Sequence, residues 1–300
     1  MNSDWQLDSY LQERIQLTEA ALDRYLPGDH TLPARLHEAM RYSVFAGGKR
    51  IRPVLMMAAC ETVGGSPQQV LPAACAIEMI HSYSLIHDDL PAMDDDDLRR
   101  GKPTNHKVYG EANAILAGDG LLTEAFILLS SPDVWKDVAA DTRREVIHLL
   151  ARNAGSRGMV GGQVVDMESE GKEVDLPTLE YIHTHKTGAL MLAAIEAGAV
   201  LGGASLEQRQ ALKRYGEAAG LAFQVADDVL DIVADQQQLG KDVGSDMERG
   251  KATYPALLGL DGARNRAREL RDVAFSALDI FGDSARPLRE IADYIVNRSF

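Results

Sequence analysis

Asp227, Asp228 and Asp231 stand in the segment FQVADDVLD, and Gln224 precedes them at helical spacing. Offsets of three, four and seven residues from Gln224 place all four side chains on one helix face. Like charges stacked this way destabilise a helix by about 0.2–0.5 kcal/mol per solvated pair, and by more once partly buried. A counter-ion is the natural reason to keep them. Hard carboxylate oxygens select Mg²⁺ or a similar cation, and Mg²⁺ held by a few carboxylates keeps positions open for water and phosphate oxygens. A second acidic stretch, DDLPAMDDDD at residues 88–97, carries six Asp in ten positions. On an unbroken helix Asp94 would be turned about 240° away from Asp88 and would miss any ion held there. Pro91 disfavours the α conformation at Leu90 and removes a donor, so the helix is expected to end and let Asp94 fold back. Either cluster alone reads equally well as a solvated acidic helix end. Two of them in matched helical contexts favour metal ligation by Asp88, Asp89, Asp94, Asp227, Asp228 and Asp231.

Cations gather beside these acids. GGKRIRP supplies Lys49, Arg50 and Arg52, and DDLRRGKPTNH supplies Arg99, Arg100 and Lys102. They could pair with surface carboxylates. Arg and Lys beside backbone donors at helix starts are also what a diphosphate requires. Acidic metal sites and basic anion sites together describe a pocket for two diphosphates, one bridged through Mg²⁺ and one bound directly. Other phosphate and metal classes fail on spacing. An EF-hand loop begun at Asp94 would need Gly at Arg99 and Glu at Asn105. There is no P-loop and no Cys/His zinc spacing.

The elements that must position these groups are helices. Apolar residues recur at helical spacing almost throughout, whereas alternating β-branched runs are nearly absent, so the chain is expected to be all-α. Helices are predicted at about 5–25, 33–46, 53–63, 72–90, 111–130, 137–156, 177–201, 205–234, 254–279 and 285–297. Gly47-Gly48 and Gly64-Gly65 mark stops, Pro33 and Pro53 mark starts, and Ser66-Pro67 reads as an N-cap followed by Pro. No long polar linker or repeat interrupts the chain, so residues 1–300 are expected to form one domain.

Composition agrees: 45% hydrophobic and 25% charged residues make an ordinary globular chain with a large core. A net charge of −14 argues against a broad nucleic-acid or anionic-membrane surface. Cys60 and Cys75 sit in apolar runs where buried thiols are common, and imply no disulfide framework. The N-terminus has no secretory pattern. The longest uncharged stretch, Thr62 to Ile77, is broken by Gly, Pro and Gln and makes no clean membrane span. The protein is expected to be soluble and cytoplasmic, without a membrane span or nucleic-acid partner.

GGKRIRP, HSYSLIHDDLPAMDDDDLRRG, GEANAILAGDGL, GMVGGQVVDM, HKTGAL, FQVADDVLD, LGKD and GKATYP occur in this order between about residues 32 and 260. Together they resemble the trans-isoprenyl diphosphate synthases, most closely the bacterial farnesyl diphosphate synthases. That resemblance implies the isoprenoid-synthase fold, a single bundle of antiparallel helices around a deep central cavity, assembled as a homodimer. It implies three Mg²⁺ ions with substrate bound, with isopentenyl diphosphate and dimethylallyl or geranyl diphosphate as substrates. Lys49, Arg52, His81 and Arg100 would hold isopentenyl diphosphate. Asp88, Asp94 and the second Asp motif, with Arg99, Lys186, Lys241 and Lys251, would hold the allylic diphosphate through Mg²⁺. Thr187 and Gln224 would line the allylic site, where oxygen dipoles favour a developing carbocation. Asp88, Asp94, Asp227 and Lys186 would carry the chemistry. Transfer of the allylic group to the isopentenyl double bond, with loss of a proton, would give farnesyl diphosphate and diphosphate.

Single residues also have plainer readings. His81 could be a packed core histidine, but it lies seven residues before Asp88, two turns down and near the same face. His87, His106, His183 and His185 read as structural or surface residues, and Met40, Met56, Met57, Met79 and Met191 as core. Gly161 and Gly162 suggest a close helix approach or a break near the cavity, with Asp166 placed to support a metal ligand. Tyr83 and Ser84, five and four residues before the first Asp, match the family's positions at the floor of the tail pocket, and an aromatic followed by a small residue fits a fifteen-carbon limit. Two rival functions remain: a class I terpene cyclase, which typically lacks a second complete Asp motif and GGKRIRP, and a catalytically silent regulatory subunit, which would have lost carboxylates.

Overall fold

In the computed structural model the described residues are 5–237 and 253–297. Lys241 and Lys251 lie outside them. Helices account for almost all the regular structure: α1 Leu7–Tyr25, α2 Ala34–Val44, α3 Ile51–Thr62, α4 Pro67–Asp88, α5 Asn105–Tyr109, α6 Glu111–Ser130, α7 Ala140–Ala154, α8 Met159–Ser169, α9 Leu176–Ile182, α10 Ala189–Leu201, α11 Leu206–Gln237, α12 Tyr254–Ala277 and α13 Arg286–Asn297. A π-helical segment, His183–Gly188, joins α9 to α10. A 3₁₀ stretch, Asp279–Ala285, joins α12 to α13. Among the described residues, the strands are two short ones, Leu98–Arg99 paired antiparallel with Lys102–Pro103.

Helix starts follow one chemical pattern. Ser66 closes a capping box with Gln69 (backbone N to Oε1, 2.7 Å) and Pro67 follows, so α4 begins five residues before the expected position 72 and carries Pro72 inside it. Asp175 caps α9 through Thr178 N (3.0 Å), and Thr253 caps α12 through Ala256 N (3.4 Å), each with Pro nearby. The helix α8 was not expected: MVGGQVVDM has two glycines and β-branched residues, which weaken a propensity-based reading.

Contacts divide the chain into two compact units, Met1–Met57 with Ser66–Ile147, and Ala58–Gly65 with His148–Phe300. In the first unit, α4 packs along α6 around Ile77, Ile80, Ala117 and Leu121, all fully buried. In the second, α11 packs on α10 and α12 around Leu212, Tyr215, Val225 and Ala267.

The helix α6 is long and apolar enough to cross a membrane by length and composition, alone among the described residues, and 39% of its apolar window is buried. Asp119 and Glu124 interrupt its apolar run, so it contains no long uncharged stretch. Its packed face meets α4, and Ile115, Leu116 and Ile127 are exposed.

Candidate functional site

The turn after α4 is built as Pro91 requires. Leu90 N–H bonds His87 O (3.2 Å), the helix ends, and Asp94 N–H returns to Asp88 O at 2.9 Å. Asp94 thus folds back onto the last turn of α4, and Asp95 takes a left-handed backbone (φ 51°) to allow the next reversal. Asp89 points elsewhere. It is buried, with Oδ1 accepting from Arg99 Nε at 2.7 Å while Arg99 also reaches Asp96 at 3.1 Å. Burial pushes the Asp89 carboxyl up against the pull of Arg99. Arg99 and Asp89 therefore brace the acidic turn against the short hairpin.

The GGKRIRP turn has two different kinds of cation. Lys49 is exposed. Arg50 is buried with a left-handed backbone (φ 47°), and its guanidinium donates to Glu78 Oε1 (2.8 Å) on α4 and to Val44 O (2.6 Å) on α2. Arg50 is an internal strut. The sequence carried a signal for it: Glu78 is a lone carboxylate inside the apolar run AIEMI, and such a charge must find a buried partner. Arg100 lies across the glycines of the same turn, donating to Gly47 O. The φ of +130° at Gly48 favours glycine, and a Cβ there would sit 2.6 Å from the Arg100 guanidinium carbon and displace it.

His81 sits among these groups. Burial first, and then the nearby Arg52, Arg100, Arg50 and Arg99, hold its imidazole well below the usual histidine range. It is neutral at physiological pH and can exchange hydrogen bonds without adding charge. The first unit thus brings together Arg52, His81 and Arg100, three of the four groups expected to hold a directly bound diphosphate.

Tyr83 is 7% exposed and meets the His87 ring edge-on (5.7 Å, 79°), and Ser84 Oγ bonds His81 O at 2.8 Å. His87 in turn lies over α6, where a Cβ on Gly118 would fall 2.2 Å from His87 Nε2. The wall beside Tyr83 is therefore fixed by a glycine on another helix.

In the second unit a cavity of about 130 Å³ is lined by Lys186, Thr187, Gln224 and Asp228, four expected site residues, with Asp166 and His183 beside them. Lys186 Nζ donates to Asp166 Oδ2 at 2.7 Å, so Asp166 braces a cation in this structure. Gly162 lets α8 approach: a Cβ there would lie 2.2 Å from Lys186 N. Asp228 is 9% exposed, accepts from Tyr254 N at 2.9 Å, and lies 3.9 Å from His183 Nε2. Tyr254 Oη reaches Glu180 (3.3 Å), which Arg266 also holds (3.2 Å). Asp227 and Asp231 are progressively more exposed along α11. The π turn, frequent at functional sites, was not visible in the sequence.

Among the described residues no three Asp, Glu, His or Cys side chains are gathered closely enough to hold a metal ion alone. Carboxylate oxygens on the backfolded Asp88–Asp94 turn and on α11 suit Mg²⁺, which commonly takes one or two protein carboxylates and completes its shell with water and phosphate oxygens.

An almost entirely helical chain with this arrangement has the isoprenoid-synthase fold. The polyprenyl synthetase family model matches residues 33–277, and the chain belongs to that family. A geranylgeranyl diphosphate synthase of Cyanophora paradoxa is 47% identical over 300 residues, covering 100% of this chain and 99% of its own. A farnesyl diphosphate synthase of Geobacillus stearothermophilus is 54% identical over 260 residues, 87% of each chain. The crystal structure of an FPP/GFPP synthase from Zymomonas mobilis superposes with a TM-score of 0.86 at 42% identity, covering 96% of this chain and 98% of its own.

Proposed function

We propose that the protein is a Mg²⁺-dependent farnesyl diphosphate synthase that condenses isopentenyl diphosphate with dimethylallyl and then geranyl diphosphate. The observation that carries the product length is Tyr83: a buried aromatic ring five residues before Asp88, backed by His87 and the close pass of Gly118. One helical turn, about 5.4 Å, is close to the length of one isoprene unit, so a ring at this height limits the tail. The relatives supply both fifteen- and twenty-carbon names, so the limit must be read from the product.

In this reading Lys49, Arg52, His81 and Arg100 hold isopentenyl diphosphate, with three positive charges and one neutral imidazole. Asp88 and Asp94 are the candidate Mg²⁺ ligands of the first unit, and Asp227, Asp228 and Asp231 those of the second. When bound, the metal would stabilise negative charge on the leaving diphosphate. Lys186, kept in place by Asp166, adds a donor to that diphosphate. Thr187 and Gln224 present oxygen dipoles to the carbocation without capturing it. Arg99 and Asp89 act by holding the acidic turn. Lys241 and Lys251 are further candidates for the allylic diphosphate.

The family match runs across both units, which supports reading residues 1–300 as one domain. The exposed apolar face of α6, with Ile115, Leu116 and Ile127, is our candidate for the contact of a homodimer. We place the enzyme in the cytoplasm. Incubation of purified protein with Mg²⁺, isopentenyl diphosphate and each allylic diphosphate, followed by chain-length analysis, tests the reading. Farnesyl diphosphate is the expected end product. A cyclised hydrocarbon, a twenty-carbon end product or no product would each overturn it.

A further inference from the structure

A second cavity, about 650 Å³, opens in the second unit between α7, α10, α11 and α12. It shares a wall with the smaller cavity already described, and that wall is the π segment. His183, Lys186 and Thr187 line the smaller cavity, whereas Thr184, His185 and Gly188 line the larger one. The segment is held on the larger side by His185, which stacks on Tyr181 (3.9 Å, 18°) and bonds Tyr181 O at 2.8 Å.

The chemistry of the larger cavity is divided by depth. Its floor is apolar and small: Ala189, Ala218, Leu221 and Leu270 are buried there, with Gly216 in close contact, where a Cβ would lie 2.9 Å from Leu192 Cδ1. Its mouth carries Arg152, Arg157, Lys213 and Arg214, all exposed. Glu196 and Glu217 oppose them, Lys213 lying 3.9 Å from Glu217, while Arg157 and Arg214 make no ion pair or hydrogen bond among the described residues. Four cations against two carboxylates at one opening stand out in a chain of net charge −14. The volume is that of a small-molecule site.

We propose that this cavity is a second ligand site for an amphipathic anion, its apolar body on the Leu221–Leu270 floor and its charge at Arg157 and Arg214, and that its occupancy acts through the π segment on Lys186. The coupling rests on Lys186 serving the allylic diphosphate; the site itself does not. Coupling requires that a ligand packed against Thr184 and His185 make different contacts in two settings of this six-residue wall, which is the condition for shifting an equilibrium at a distance.

Titration of the full chain with 1-anilinonaphthalene-8-sulfonate, followed by fluorescence, tests the site. Saturable binding is expected, weakened about tenfold by Arg157→Gln with Arg214→Gln, which removes two charge-assisted contacts. Val273→Glu, a change at an exposed position on the same wall, is expected to weaken it similarly. Equal affinity in wild type and in both variants, with the variants folded by circular dichroism, would overturn the site. Saturating probe is further expected to change KM for the allylic diphosphate in wild type by at least about twofold, and not in the double variant. Unchanged KM and kcat under saturation would overturn the coupling. Absence of prenyl transfer by the wild type would refute the proposed function instead, leaving the fluorescence result to decide the site.

Discussion

Lys49 and Arg50 are adjacent and both cationic, yet one is exposed and the other is buried between Glu78 and the end of α2. Removing one member of such a pair leaves an uncompensated buried charge, so Glu78→Gln is expected to lower unfolding stability by about 3 kcal/mol, read from urea denaturation. Arg52 and Lys186 belong to different diphosphates in the proposed reaction. Arg52→Ala should mainly raise KM for isopentenyl diphosphate, whereas Lys186→Ala should raise KM for the allylic substrate or lower kcat; steady-state kinetics showing the reverse would mean the sites are exchanged. His81 makes a prediction in pH. Its folded-state pKa is depressed, so below the ordinary value of about 6.5 the unfolded chain binds a proton that the folded chain refuses. Stability is therefore lost as pH falls through this range, and His81→Asn should flatten that part of the urea-midpoint profile.

At the scale of elements, function depends on where helices stop and how closely they pass. Pro91 stops α4, and the resulting turn returns Asp94 to Asp88. Gly118 and Gly162 let α6 and α8 approach their neighbours, fixing His87 behind Tyr83 and bringing Asp166 to Lys186. In the proposed reaction product length belongs to this scale, because side chains at successive turns of α4 would set it. Ser84→Phe should raise the floor of the tail pocket and shift product toward geranyl diphosphate, and Tyr83→Ala should deepen it and admit a twenty-carbon product, both read by chromatography of the dephosphorylated products. If both variants still release farnesyl diphosphate alone, another helix sets the limit.

For the molecule as a whole, α6 presents an unusual balance. One face is packed on α4, and the other leaves Ile115, Leu116 and Ile127 exposed at 44%, 55% and 54%. Three exposed large apolar side chains on one helix are a candidate association surface. Sedimentation is expected to show a dimer, and Leu116→Glu with Ile127→Lys should shift it to monomer while far-ultraviolet circular dichroism stays unchanged. A variant that remains dimeric would place the interface elsewhere.

Helical periodicity, the Ser66-Pro67 cap and the Pro91 stop were legible in the sequence because each acts through local backbone chemistry. The placement of the carboxylate row on α11 was legible too, since residues at offsets of three, four and seven from Gln224 share a helix face whatever surrounds them. Tertiary structure alone separated Arg50 from its neighbours, took Asp89 out of the acidic row to brace Arg99, and paired Lys186 with Asp166. It also produced the π turn, which divides one helix between two cavities. These outcomes depend on which partner lies within a few ångströms across sequence separations of 10–28 residues. Spacing along a helix fixes direction but not the neighbour that is met there.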